Sequence, residues 1–330
     1  MISLRRALPV GALACGAALL GALPFALKPY GIYILSLWAV RTIAAIGLNL
    51  TLGYAGQISL AQAAFVGIGA YTTALVTANG WPFWSSYAIA AIVCFAVGWL
   101  LGYPALRVRH HYLAFVTLAF TTLVYLIFRN EVWLTNGVSG ISGIARPSVF
   151  GWSMNGGRDY YFFCLAHLAM LSLATFWLIR SPWGRAFVAL RENAVRAASL
   201  GVDTRRYTLM AFAIGAGLGG ISGSLYAPLV QFIDPTPFSL LLSLELLLMV
   251  VVGGSGYFLG PFLGAAVAVL VPEWLRFTEG FYLIGYALLV IVLMVFAPTG
   301  LLGLIARLMR PRGAGRSAMA MAPADRDGAR

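Results

Sequence analysis

The sequence predicts an all-α integral membrane protein, and three observations carry that prediction. Of its 330 residues, 61% are hydrophobic and 10% charged, whereas soluble domains run at roughly 45–50% apolar and about 25% charged. The apolar residues gather into continuous runs of about 20, the length that crosses a bilayer as a helix. Strands of a membrane barrel would instead alternate in polarity over about 10 residues. The basic residues, finally, sort to one side of those runs.

Taken in order, the runs give about ten spans: residues 8–27, 30–52, 60–78, 85–105, 112–128, 160–179, 207–227, 239–254, 258–274 and 281–297. The first, within MISLRRALPVGALACGAALLGALPFAL, is close to a signal peptide in composition. Its apolar run is too long and lacks an Ala-x-Ala cleavage site, so it reads as an N-terminal transmembrane helix over 1–29. Residues 30–310 form the main transmembrane domain. The tail 311–330, polar and rich in Ala and Gly, is expected to be a disordered cytoplasmic segment.

Between the second and third spans stands GYAGQISLAQ, residues 53–62. An amide side chain alone in hydrocarbon costs roughly 4–8 kcal/mol, so Gln57 and Gln62 need partners or a wet surface. The second and eighth spans each hold one charge, Arg41 and Glu245. Charges at mid-bilayer are costly, about 2.5–3.5 kcal/mol on insertion scales, and normally pair or line a cavity. In the seventh span Gly215, Gly219 and Gly223 recur every fourth residue, and Gly260 and Gly264 do so in the ninth. That spacing sets small residues on one face for close helix packing. Cys15, Cys94 and Cys164 stand singly in apolar runs and read as small buried hydrophobes. His167 reads as a satisfied core histidine. No metal-ligand spacing and no catalytic constellation is present.

Orientation follows from Lys and Arg, which are retained on the cytoplasmic side. With the N-terminus inside, sixteen of the 22 basic residues fall on the inner side, five on the outer, and Arg41 within a span. Both termini are then cytoplasmic. The basic balance of the chain is explained by topology and anionic lipid, and does not argue for nucleic acid.

The longest inner connection is SPWGRAFVALRENAVRAASLGVDTRRY, residues 181–207. On a helical wheel Trp183, Phe187, Leu190, Ala194, Ala197 and Ala198 share one face. Arg185, Glu192, Arg196 and Ser199 share the other, with Glu192 and Arg196 at a favourable i,i+4 spacing. Gly201 is placed to end the helix. The apolar face is too modest to grip lipid well, which favours a helix offered to a protein partner.

Four blocks of the chain resemble the permeases of ABC importers of the branched-chain amino-acid type, the LivH/LivM family. They are GLNLTLGYAGQISLAQAAFVGIGAY, RVRHHYLAFVTLAF, GRAFVALRENAVRAASLGVDTRRYTLMAFAIGAGLGGISGSLYA and SLELLLMVVVGGSGYFLGPFLGAA. In order, they span most of residues 43–300. One departure is His110, where the family usually has Gly. The resemblance implies a cytoplasmic coupling helix over about 184–200, between helices 6 and 7. Arg185, Arg191, Glu192, Arg196 and Gly201 would engage a cytosolic ATPase. It also implies that GYAGQISLAQ marks a helix end and a new start within the membrane, with Gly53 and Gly56 allowing the turn and Ser59 capping the new helix. Gln57, Ser59, Gln62, Arg41 and Glu245 are then candidates for lining the pathway.

The implied partners are a second, similar permease, two cytosolic ATPases that bind the ATP, and an extracytoplasmic substrate-binding protein landing on the outer loop 136–159. The chain itself carries no nucleotide motif, since its one lysine, Lys28, follows Phe-Ala-Leu rather than a glycine loop. The expected setting is the bacterial inner membrane, and the expected cargo a branched-chain or other apolar amino acid. Urea, short amides and aromatic acids are alternatives within the family. An ion-coupled transporter or channel acting alone is the rival class, with Glu245 its one intramembrane acid.

Overall fold

The computed structural model describes residues 16, 18–105, 110–149, 152–275, 285, 287, 288, 291–293, 295 and 300–308. The expected tail 311–330 and most of the expected span 281–297 lie outside these residues, as does Cys15. Residues 18–26 are helical. Pro29 then opens α1 (Pro29–Asn49), in a first-turn position where its missing N–H costs no hydrogen bond. The helix loosens into a π turn over Leu50–Tyr54. Among the described residues, the helices longer than one turn that follow are α2 (Gln62–Ala78), α3 (Phe83–Ala105), α4 (His110–Asn130), α5 (Gly157–Arg180), α6 (Pro182–Ser199), α7 (Thr204–Val230), α8 (Leu240–Gly253), α9 (Gly260–Trp274) and α10 (Gly300–Leu308).

Among the described residues, five stretches are long and apolar enough to cross a membrane: Pro29–Tyr54, Phe83–Tyr103, Leu113–Asn130, Gly157–Arg180 and Thr204–Val230. The chain is an all-α, multi-pass membrane protein. Three expected spans are shorter helices. α2, α8 and α9 have 17, 14 and 15 residues, about 26, 21 and 23 Å at the α-helical rise. A hydrocarbon core of about 30 Å exceeds all three. The sequence run that suggested a span from residue 60 includes backbone that stays non-helical, because neighbouring helices satisfy it.

α7 is the centre of the bundle and packs on α1, α2 and α3. The most apolar window of α7 is 83% buried and that of α1 72%, against 28–33% for α3, α4 and α5. Lipid is as apolar as leucine, so helices in a bilayer associate through close packing rather than through the hydrophobic effect. The contact points are accordingly glycines. A Cβ on Gly215 would stand 2.6 Å from Gly47 O of α1, one on Gly98 of α3 would stand 2.5 Å from Ala216 Cβ, and one on Gly223 would overlap Val66 O of α2. At the α8–α9 seam Gly264 meets Met249 O in the same way.

The connection after α4 is partly ordered. β1 (Ile141–Ser142) and β4 (Phe232–Ile233) pair antiparallel, Ile141 opposite Ile233. β2 (Ser148–Val149) and β3 (Trp152–Ser153) form a second short pair.

Candidate functional site

The break between α1 and α2 is a built structure. Ala55 N–H donates to Leu50 O (3.1 Å) and Gln57 N–H to Thr51 O (2.9 Å), which winds the chain wider than an α-helix before Gly56 reverses it at φ +71°. Beyond that turn the backbone relies on other helices. Leu60 N–H donates to Thr117 Oγ1 of α4 (3.0 Å), and Leu60 O accepts from Thr121 Oγ1 (2.7 Å) and from Ser243 Oγ of α8 (2.6 Å). Ser243 Oγ also accepts from Ala63 N–H (3.1 Å), an unpaired donor of the first turn of α2. Irregular backbone survives at membrane depth only when it is satisfied in this manner.

Gln57, Ser59 and Gln62 are all buried in protein. The Gln62 amide donates to Ala44 O of α1 (3.0 Å) and to Gly215 O of α7 (3.2 Å). It fits because Gly47 and Gly219 leave room, a Cβ on either lying 2.9 Å from Gln62 Nε2. Ser59 Oγ accepts from Ala61 N–H (3.3 Å), but the residue at the helix start is Ala61, with no side-chain cap. The expected capping by Ser59 is therefore a tight turn just ahead of the helix. Sequence reasoning missed Thr117, Thr121 and Ser243, which are ordinary residues in apolar helices with no local signal of their role.

Arg41 and Glu245 do meet: Arg41 Nη1 lies 2.6 Å from Glu245 Oε2, linking α1 to α8. Their side chains keep 27% and 36% of their surface open, so the pair lies on an accessible face rather than in the core. Beside it is a small, partly open cavity of about 20 Å³ lined by Val40, Arg41, Ser222, Tyr226, Phe238 and Leu242. That is room for about one water.

α6 starts at Ser181, whose Oγ accepts from Trp183 N–H (3.2 Å), with Pro182 next. Phe187, Leu190 and Ala197 are buried, while Arg185, Arg191, Glu192 and Arg196 are exposed. The expected continuous helix is broken at Asn193 (φ −161°, ψ 104°). Asn193 Oδ1 accepts from Arg196 N–H (3.0 Å) and starts a second short piece. The kink separates Glu192 from Arg196, whose i,i+4 spacing assumed an unbroken helix. The end is as expected: Gly201 (φ +84°) donates to Ala198 O and Val202 to Ala197 O, both at 3.0 Å, which is a Schellman motif. The Arg191 guanidinium turns inward, where Nη1 donates to Gly53 O. His110 is the first residue of α4.

Among the described residues no three His, Cys, Asp or Glu side chains come together as a metal site. His167 Nδ1 lies 2.8 Å from Phe163 O, packed among Trp84, Tyr87 and Phe163. Cys94 and Cys164 are free and buried.

Broken helices and paired charges within a helical membrane bundle recur in transport proteins. Residues 31–297 match the family described as "branched-chain amino acid transport system / permease component", and the chain belongs to that family. It is 34% identical over 303 residues to the high-affinity branched-chain amino acid transport system permease protein LivM of Escherichia coli (strain K12), covering 84% of this chain and 71% of the relative. To the LivH permease of the same system name in that organism it is 27% identical, covering 81% and 92%. A probable LivM of Methanocaldococcus jannaschii is 29% identical over 203 residues, covering 61% and 57%. No solved structure matches. The chain is a permease subunit of this transport family.

Proposed function

We propose that the chain is one of two transmembrane subunits of an ATP-driven importer that carries branched-chain amino acids across the bacterial inner membrane. The observation that carries this reading is the family match over residues 31–297, joined by relatives named LivM and LivH, two permeases of one transport system name. A LivH-like chain is therefore the natural second permease. About ten helices enter the bilayer with both termini in the cytoplasm, a reading that the distribution of Lys and Arg supports.

ATP is bound by two cytosolic subunits, not by this chain. They dock on α6, where Arg185, Glu192 and Arg196 stand exposed beside the apolar Trp183, Val195 and Leu200. An extracytoplasmic binding protein lands on residues 136–159 and supplies most of the selectivity. The face of α1 and α8 that carries the half-open Arg41–Glu245 pair turns toward the pathway and the second permease. An ionised pair presented to acyl chains would lose its hydration without replacement.

The test is reconstitution with a LivH-like permease, the two ATPases and the binding protein in liposomes. Leucine uptake should require ATP and the binding protein together. Uptake by the isolated chain under an ion gradient alone would overturn the reading.

A further inference from the structure

Arg191 is exposed on α6 while its guanidinium reaches Gly53 O, and we infer that it is a strut that ties the cytoplasmic helix α6 to two membrane-embedded breaks at once, so that it carries motion inward rather than serving as a docking contact. The inference rests on the reading of α6 as the helix that receives the ATPases.

Two stretches of chain converge on this arginine, the turn after α1 and the α8–α9 loop. Its Nη1 donates to Gly53 O in the π turn after α1. Its stem lies across Gly56, where an added Cβ would come within 3.3–3.4 Å of Arg191 Cα, Cβ and Cγ. The same guanidinium borders the α8–α9 loop: a Cβ on Gly256 would overlap Arg191 Nη1 and stand 2.9 Å from Gly53 O. Gly256 has φ +82°, a conformation glycine adopts freely and other residues resist. The two breaks are joined directly by Asn49, whose Oδ1 accepts from Gly256 N–H (2.9 Å) and whose Nδ2 donates to Tyr257 O (3.1 Å). A Cβ on Gly53 would overlap both Asn49 Oδ1 and Gly256 N, so the two breaks touch backbone to backbone.

α6 has a second hold on the same place. Phe187, one turn before Arg191, is fully buried in a cluster with Leu50, Tyr54, Ala55 and Ala211. Two anchors one turn apart fix both the position and the tilt of α6 relative to the break. Immediately after Arg191 the helix kinks at Asn193, leaving the piece that holds Arg196 and the exposed Val195 and Leu200 outside the anchored part. α6 therefore divides into an inner piece attached to the breaks and an outer piece open to a partner. Arg191 is a positioning residue: it acts on the ends of α1, α8 and α9 through backbone carbonyl and amide groups.

The test uses the assembled importer with Arg191→Gln, Arg191→Lys and Gly256→Ala. The last displaces the guanidinium while leaving Arg191 in place. Arg191→Gln should co-purify with both ATPases at wild-type stoichiometry and hydrolyse ATP, yet take up leucine about tenfold or more slowly, the scale of one lost hydrogen bond to a charged group. ATP turnover should no longer respond to the loaded binding protein. Gly256→Ala should repeat this phenotype, and Arg191→Lys, which retains a charged donor, should recover part of the uptake. Arg191→Gln that loses its ATPases marks a docking residue and overturns the inference, as does Arg191→Gln or Gly256→Ala that transports at the wild-type ratio of uptake to ATP hydrolysed. Should Gly256→Ala fail to insert, Arg191→Gln alone decides. Wild-type protein that binds no ATPase would instead sink the underlying reading of α6.

Discussion

Single side chains carry an unusual share of the structure here, because lipid supplies no water to an unsatisfied group. Gln62 shows the effect. Its amide bonds the backbone of two helices, Ala44 O and Gly215 O, in space left by Gly47 and Gly219. Gln62→Met keeps the volume and loses both bonds, and should lower stability by about 1–2 kcal/mol, read as a fall in thermal midpoint in detergent. Gln62→Glu should be worse, since an ionised carboxylate there would face two carbonyl oxygens with no proton to give. The Arg41–Glu245 pair makes the complementary case. Removing one partner strands a charge within the membrane. Arg41→Ala and Glu245→Ala should each therefore destabilise more than the double substitution, a sign pattern that a double-mutant cycle of thermal midpoints checks directly.

At the scale of elements, glycine placement decides how closely helices approach. Gly223→Ala would drive a methyl into Val66 O, and Gly264→Ala into Met249 O. Each should cost about 1–3 kcal/mol by overpacking. Gly217→Ala, on the same helix as Gly223, meets Ala91 O and Phe95 Cβ only at 3.7 Å and should be neutral or slightly stabilising through better helix propensity. Thermal unfolding of the three variants separates seam glycines from incidental ones. The every-fourth-residue pattern singled out Gly215, Gly219 and Gly223, where an added Cβ would crowd a neighbouring helix, and apolar run lengths located α1, α3, α4, α5 and α7 to within a few residues.

Other features were not legible in the sequence. α8 is preceded by the Thr236–Phe238 turn, whose Phe238 ring packs against Tyr71 and Tyr226. The partners of Leu60 lie 57 to 183 residues away, and the strand pair Ile141↔Ile233 is equally remote in sequence. Local periodicity holds no record of such contacts. The kink at Asn193 had a local cue, an asparagine able to cap, but the regular apolar spacing around it argued for a continuous helix. For the site, the polar break and the two intramembrane charges were visible as residues that needed compensation. Their mutual geometry was not.

The whole molecule sorts its helices by solvent. α7 and α1 are enclosed, whereas α3, α4 and α5 expose large apolar side chains such as Leu100, Leu123 and Leu173. Because hydrocarbon receives a leucine as well as a protein interior does, Leu100→Ala and Leu123→Ala should shift stability by less than about 0.5 kcal/mol. Leu225→Ala, at a fully buried position of α7, should cost about 2–5 kcal/mol through the cavity it opens. Comparing midpoints across these three variants separates lipid-facing positions from enclosed ones.

The way Leu60 is held also constrains how the protein is made. Its amide and carbonyl are answered by Thr117, Thr121 and Ser243, and Asn49 waits for Gly256 and Tyr257. A ribosome delivers those residues long after the segment 50–62 has emerged. Until then the backbone of this stretch lacks the partners that satisfy it at membrane depth. Its full set of hydrogen bonds can form only once the chain through Tyr257 has been synthesised.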